Sequence, residues 1–385
     1  MKPLTAVPFL CVVLLAACLD HPEPVALSLD ADRDAASTDE DLSSLDAEPD
    51  TTASPDTPSG DASDAPTDAA PDTTPAPTDV TPETVDPCAA LVPGYVAIGV
   101  QEGEEVLPQT KLHLFVTGFP VHCIAAYRWE LDQPIGSQSL LMPSSSASNP
   151  TVEVNVAGTY TLRVELFGHD GRRLAFPTTQ VFANPAAGIH IELLWTTPGD
   201  PDPNDIRGAD LDLHFALGGA RGDYDGDGDG QFDPWYDIPF DTYWYNHAPD
   251  WGSLDAGIDD NPSLDRDDTD GIGPENLNLR LPEDGKTYHV GVHYWRDQVL
   301  GPSYATVRIY IHGNLVFEQS DVELREFDFW WVTDLTWPPQ ADSLPTASRT
   351  CQGTTDPCTT DADCTTTCTL RITPNYHHPF FPSAP

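Results

Sequence analysis

Apolar residues in this chain recur at every second position, in short runs cut by Pro, Gly and Ser, and a period of two commits a chain to sheets. Lys111-Leu112-His113-Leu114-Phe115-Val116 and residues 126–131, 151–156 and 160–166 carry the pattern in the region 88–185, where no helical period competes with it. Residues 189–195, 209–215, 288–294 and 305–311 carry it in 186–340, and 315–318 follow a Gly313-Asn314 hairpin turn. The expectation is an all-β chain, with one sandwich over 88–185 and a second, jelly-roll-like sandwich over 186–340.

The residues ahead of these cannot join either sandwich. From Leu19 to Pro87 the chain is mainly Asp, Thr, Ala, Ser and Pro, with almost no aromatic residue and nearly one sign of charge. Such a segment buries too little apolar surface to offset its ordering entropy, so 18–87 is expected to be a disordered, extended acidic stalk. Before it, Met1-Lys2, an apolar stretch over 7–15 and Leu15-Ala16-Ala17-Cys18 have the layout of a secretory signal over 1–17, too short to span a bilayer permanently. The Leu-Ala-Ala-Cys ending resembles the lipobox of bacterial lipoproteins. That resemblance implies cleavage before Cys18, a diacylglyceryl group on its thiol, and a membrane as partner through this anchor. Leu19, rather than Asp, after the cysteine is similar to lipoproteins sorted to the outer membrane.

The 385 residues include 62 Asp and Glu against 17 Lys and Arg, a formal charge of −45. Nucleic acid and anionic lipid surfaces are repelled by such a balance, so no nucleic-acid partner is expected. The stalk does not account for it: outside 1–87, 43 acidic residues face 15 basic ones. A folded region so acidic either tolerates its self-repulsion or binds cations. Beyond the signal and Cys18, six cysteines remain: Cys88, Cys123, Cys351, Cys358, Cys364 and Cys368. An even number in an exported chain reads as disulfides, and six cysteines allow about fifteen pairings. Position favours Cys88–Cys123 in the first module and two bridges within a disulfide-rich tail over 341–385. The rival for the tail, a zinc knuckle, lacks the usual C-x2-C pair.

The loops of the second module carry the chemistry. Asp223-Tyr224-Asp225-Gly226-Asp227-Gly228-Asp229-Gly230-Gln231-Phe232-Asp233 alternates carboxylates with glycines, as a calcium loop does when it aims oxygens inward. The preferred register begins at Asp225. It uses Asp225, Asp227, Asp229, the Gln231 carbonyl and Asp233, with Asp223 adjacent, Phe232 packing inward, and Asp237 or a distant carboxylate completing the shell. Tyr236 stands where an EF-hand has its bidentate Glu, and the flanks read as strand and turn rather than helix. A second oxygen site is expected where Asp210 and Asp212, on one face of a strand, meet the acidic segment 255–275 with Asp265, Asp267, Asp268 and Asp270. Pairing of Asp212 with Arg266 is the competing role. His289 and His293 share a strand face, with His214 nearby, and read as structural groups; HExxH and G-x-S-x-G signatures are missing.

Val156-Ala157-Gly158-Thr159-Tyr160-Thr161-Leu162-Arg163-Val164 and Tyr127-Arg128-Trp129 resemble the penultimate and central strands of polycystic-kidney-disease-type immunoglobulin-like domains. Asp-Leu-Asp-Leu-His over 210–214, Pro249-Asp250-Trp251-Gly252, Asp267-Asp268-Thr269-Asp270-Gly271 with Gly273-Pro274-Glu275-Asn276, and Val290-Gly291-Val292-His293-Tyr294 resemble, in that order, a little-characterised surface domain of myxobacterial lipoproteins. The resemblance implies fold and location but no activity. The expectation is a lipid-anchored, non-enzymatic binding or adhesion protein with Ca2+ as its cofactor and a protein or glycan ligand. Trp235, Tyr236, Tyr243, Trp244, Tyr245 and Trp251 are the candidate aromatic platform, although core packing explains most Trp and Tyr at least as well. A structural envelope lipoprotein without a specific ligand and a hydrolase without a recognisable motif are the alternatives.

Overall fold

The computed structural model describes Cys88 and residues 95–377, apart from 203, 204, 206, 223, 270 and 341–343. The expected signal over 1–17, Cys18, the expected stalk over 18–87, Asp223 and Asp270 therefore lie outside the described residues. Within them the chain is all-β, its only helical elements being single 3-10 turns.

The first module contains β1 (Ala97–Val100), β2 (Glu105–Val106), β3 (Thr110–Thr117), β4 (Ala126–Asp132), β5 (Thr151–Val154), β6 (Gly158–Phe167), β7 (Arg173–Ala175) and β8 (Thr178–Ala183). One sheet runs β1-β3-β5 and the other β2-β8-β6-β4, with β7 pairing β6 and β2 running parallel to β8. This is an immunoglobulin-like sandwich. Alternation sends Leu112 and Leu114 of β3, Val152 and Val154 of β5, and Leu162, Val164 and Leu166 of β6 into one core around Trp129. Each fully buried aliphatic side chain there contributes about 1.5–3 kcal/mol. Tyr160 fixes the corner before β6: its hydroxyl donates to the Val156 carbonyl at 3.0 Å and accepts from the Val156 amide at 3.1 Å. A Cys88–Cys123 disulfide ties the chain ahead of β1 to the turn between β3 and β4.

The second module contains β9 (Ile189–Thr196), β10 (Asp210–Leu217), β11 (Asp241–Thr242), β12 (Pro262–Arg266), β13 (Glu275–Leu279), β14 (Thr287–Arg296), β15 (Ser303–Ile311), β16 (Asn314–Leu324) and β17 (Phe329–Thr336). The tail adds β18 (Arg349–Cys351), β19 (Cys368–Leu370) and β20 (Ile372–Thr373). Two five-stranded sheets, β12-β13-β9-β15-β16 and β11-β10-β14-β17-β20, face each other, and the chain crosses repeatedly between them in a jelly-roll-like sandwich. Ile191, Leu193, Leu211, Leu213, Phe215, Val290, Val292, Val307, Ile309 and Trp330 fill the space between.

Both sheets are also covered on their outer faces, which simple alternation does not anticipate. His190 and Glu192 of β9 are fully buried. Glu192 accepts from the Ala157 amide of the first module, and Asn276 donates to the Asn155 carbonyl at 3.0 Å. Over the other sheet, Trp235 and Tyr236 of the β10–β11 connection, Tyr243 just after β11, Phe329 of β17 and Tyr376 at the end of the tail form a second aromatic layer. Gly291 of β14 is required by that layer, since a Cβ there would fall 2.6 Å from the Phe329 ring and 2.9 Å from Trp235. The expected aromatic platform is therefore mostly core: Trp235, Tyr236, Tyr243 and Trp251 are buried, Trp244 is half-buried and Tyr245 is exposed. Tail disulfides join Cys351 to Cys364 and Cys358 to Cys368, which commits all four sulfurs, and β20 extends the sheet beside β17.

Candidate metal centre

Alternation along β10 turns Leu211 and Leu213 into the core and leaves Asp210 and Asp212 on the opposite face, as the sequence suggests. Glu275 heads β13 and reaches across to β10, where its Oε2 accepts from the Leu213 amide at 2.7 Å. The segment between β12 and β13 brings Asp267 to the same place. Asp212, Asp267 and Glu275 each offer a carboxylate oxygen within 4.8 Å of the other two. Asp212 is 3% exposed and Glu275 is fully buried, while Asp267 stands at the mouth. Asp212 Oδ2 has no hydrogen-bond partner, and its closest basic atom, His293 Nδ1, is 3.9 Å away.

Crowding and dehydration act in the same direction on these groups. Burial, reinforced by the charges of Asp210 and Asp267, holds the Asp212 carboxyl well above the usual carboxylate range. Glu275 is raised in the same way by burial and by Asp212 and Asp267, against the opposing Leu213 hydrogen bond. Asp210 is pushed up to about 7 by burial and by Asp267 and Asp268, with Arg296 opposing. Burial also raises Asp267. Either protons or a cation must therefore neutralise this cluster, and an all-oxygen donor set at such spacing suits a hard divalent cation. Beside it lies a cavity of about 270 Å³ lined by Asp210, Asp212, Trp244, Asp267, Thr269 and Trp295.

Other expected members of the second site lie elsewhere. Asp265 accepts from Ser263 Oγ and Asn278 Nδ2 on the exposed side of β12. Asp268 accepts from Arg266 Nη2 at 2.7 Å, so Arg266 pairs with Asp268, and with Glu153 of the first module, instead of with Asp212. Glu275 closes the acidic segment 255–275 but is not singled out as a ligand by the sequence. Its signals are that position and the Gly-Pro-Glu-Asn motif, and its contact with β10 spans 62 residues of sequence.

In the Asp-Gly loop, Asp225, Asp227 and Asp229 bring carboxylate oxygens within 4.8 Å of one another. Much of their hydrogen-bonding capacity is spent inside the loop: Asp225 accepts from the Gly228 and Gly230 amides, Asp227 from Asp229, and Asp229 from Gln231. Arg371 of the tail, stacked over Trp331 with its guanidinium carbon 3.8 Å from the ring centroid, pairs with Asp227. Asp233 turns away to accept from the Gly226 amide at 2.9 Å and the Tyr376 hydroxyl at 3.0 Å, and burial pushes its pKa up to about 6. The Gln231 side chain donates to the Gly230 carbonyl, and Asp237 accepts from the Arg221 amide. Phe232, expected to pack inward, is 58% exposed. Asp233 takes the inward position because two donors wait for it there.

The three histidines sit in separate hydrogen-bond pairs. His293 donates from Nε2 to the Tyr376 carbonyl and accepts at Nδ1 from the Tyr236 hydroxyl. His289 pairs with Asp334, and the buried His214 with Asp241, each at 2.7 Å.

No family model matches the chain, and no curated protein matches it. Among solved structures it is similar to fibronectin(III)-like modules of Clostridium thermocellum CbhA, at 12% identity over 60% of this chain and 94% of that one, with a TM-score of 0.18. Murine CEACAM1b aligns at 12% identity over 51% and 92%, and the D00-D0 domain of intimin at 8% over 60% and 99%, both with TM-scores of 0.18. Likeness at that level carries no argument about function.

Proposed function

We propose that this chain is an exported, non-enzymatic binding protein whose second sandwich is stabilised by calcium held between Asp212, Asp267 and Glu275. The observation that carries the reading is the meeting of three carboxylate oxygens within 4.8 Å where two of the side chains are sealed from water. Two oxygens bound to one calcium ion at about 2.4 Å each are separated by no more than about 4.8 Å. Asp212 Oδ2, buried without a hydrogen-bond partner, is the atom that gains most from an ion. The 225–229 loop is a second calcium candidate, in which Arg371 already supplies one positive charge.

In this reading Cys18 anchors the protein to a membrane. Among the described residues no helix is long and apolar enough to cross a membrane. Hydrogen bonds at both nitrogens of His293, and the pairing of His289 and His214 with carboxylates, suit structural duties for the histidines, which supports binding rather than catalysis. The ligand, protein or glycan, meets the second module.

Calorimetric titration of chelator-stripped protein tests the metal reading. Calcium should bind, magnesium should substitute poorly because it prefers a tighter octahedral shell, and Asp212→Asn with Glu275→Gln should remove one binding event. Asp225→Asn with Asp227→Asn separates the loop from the buried cluster. Absence of calcium heat, together with identical melts in calcium and chelator, overturns the reading.

A further inference from the structure

We infer that the cavity beside the buried carboxylates is a carbohydrate site, taking a neutral sugar whose vicinal hydroxyls complete the coordination of the ion held by Asp212, Asp267 and Glu275. The inference rests on the calcium reading above and deepens it by naming the ligand.

Three features of the cavity converge on that chemistry. Its polar lining is almost entirely acceptor: Asp210, Asp212 and Asp267 supply carboxylates and Thr269 a hydroxyl. A ligand matched to it brings several donors and little negative charge, as sugar hydroxyls do. Half-buried Trp244 and Trp295 flank the same space, and an indole offers a broad apolar surface against which the C–H face of a pyranose packs. Bound through one oxygen each, the three carboxylates would leave calcium short of its shell. Three carboxylates give three to six oxygens, the ion takes about six to eight, and the exposed side of the cluster, at Asp267, opens onto the cavity. Two adjacent hydroxyls fit such an opening as a bidentate pair. At about 270 Å³ the cavity accepts one sugar unit, which suits the end or a single exposed residue of a longer glycan.

An organic cation is the competing ligand, because two indoles above carboxylates also attract an ammonium group. The two occupants depend on calcium in opposite ways. A sugar bound through the ion needs calcium, whereas a cation is favoured when the carboxylates are left uncompensated.

The test uses the full chain on an array of neutral oligosaccharides presenting each vicinal-diol stereochemistry of the common hexopyranoses, read in calcium and in chelator. Choline and phenyltrimethylammonium are titrated in parallel. Binding to at least one diol class in calcium, weakened tenfold or more by chelator, is expected. Trp295→Ala and Thr269→Val should lower glycan binding at least tenfold and leave calorimetric calcium binding intact; Trp244→Phe guards against loss of folding at the 3-10 turn. Calcium binding without glycan binding overturns the carbohydrate assignment and leaves the metal reading standing. Glycan binding indifferent to chelator breaks the link between the two. Ammonium binding strengthened by chelator replaces the sugar with a cation, and loss of calcium binding itself overturns both readings.

Discussion

Glu275→Gln separates a cation site from a merely acidic pocket because its effect should change sign with calcium. The substitution removes one charge and keeps the shape, and the amide oxygen still accepts from the Leu213 amide, now at 2.7 Å from the carboxylate. At 4.8 Å, two like charges in an effective dielectric of about 20 repel by about 3 kcal/mol, and Glu275 has two such neighbours in Asp212 and Asp267. In chelator, protons relieve much of this repulsion, so the variant should be as stable as the parent or more stable, by up to about 3 kcal/mol. At calcium a hundredfold above its dissociation constant, the parent gains about 2.7 kcal/mol. A variant that binds a hundredfold more weakly gains only about 0.4 kcal/mol under those conditions. Relative to its gain in the parent, calcium is then worth about 2 kcal/mol less to the variant, or about 5–9 °C in a module of this size. Thermal melts followed by tryptophan emission suit the question, since Trp129 alone belongs to the first module and the other eight tryptophans to the second. The same difference between parent and variant in calcium and in chelator would mean that Glu275 does not hold a cation.

Three further outcomes are expected. Tyr160→Phe leaves the Val156 amide and carbonyl without their partner and should destabilise the first module by about 1–3 kcal/mol, measured by urea titration with hydrogen exchange along β4 and β6; an unchanged midpoint contradicts it. Asp233, with its pKa raised to about 6, holds a proton more tightly folded than unfolded, so its contribution to stability falls as pH rises from about 4 to about 6; Asp233→Asn should flatten that slope in chelator, and an unchanged slope assigns it to other groups. Cys18→Ser should leave the protein unacylated and released from membranes, and retention of the variant with no lipid adduct on the parent would remove the anchor from the account.

The period of two was enough to read the strands that carry apolar residues on one face, such as β3, β4 and β6, and the all-β class with them. It failed where a strand is covered twice. His190 and Glu192 look like the solvent side of β9 but are fully buried, Glu192 against the Ala157 amide of the first module and His190 against Asn278 and Tyr310. Trp235, Tyr236 and Tyr243 look like a surface platform because the sequence does not reveal that the tail returns with Tyr376 to close a second core over β10 and β14. The same limit applies to the site. Asp210 and Asp212 stand out because carboxylates alternate with leucines along one strand, whereas Glu275 becomes their neighbour only after two sheets pack face to face. Within the Asp-Gly loop, spacing brought out Asp225, Asp227 and Asp229, but the inward turn of Asp233 depends on Gly226 and on Tyr376, far away in the chain.

Anomalous diffraction from crystals grown in calcium would locate the ion between Asp212, Asp267 and Glu275. A calcium peak is expected in the buried cluster, with oxygens of Asp212, Asp267 and Glu275 about 2.3–2.6 Å from it. No peak there in calcium-saturated crystals, with the three carboxyls joined to one another through shared protons, would contradict calcium binding at this site.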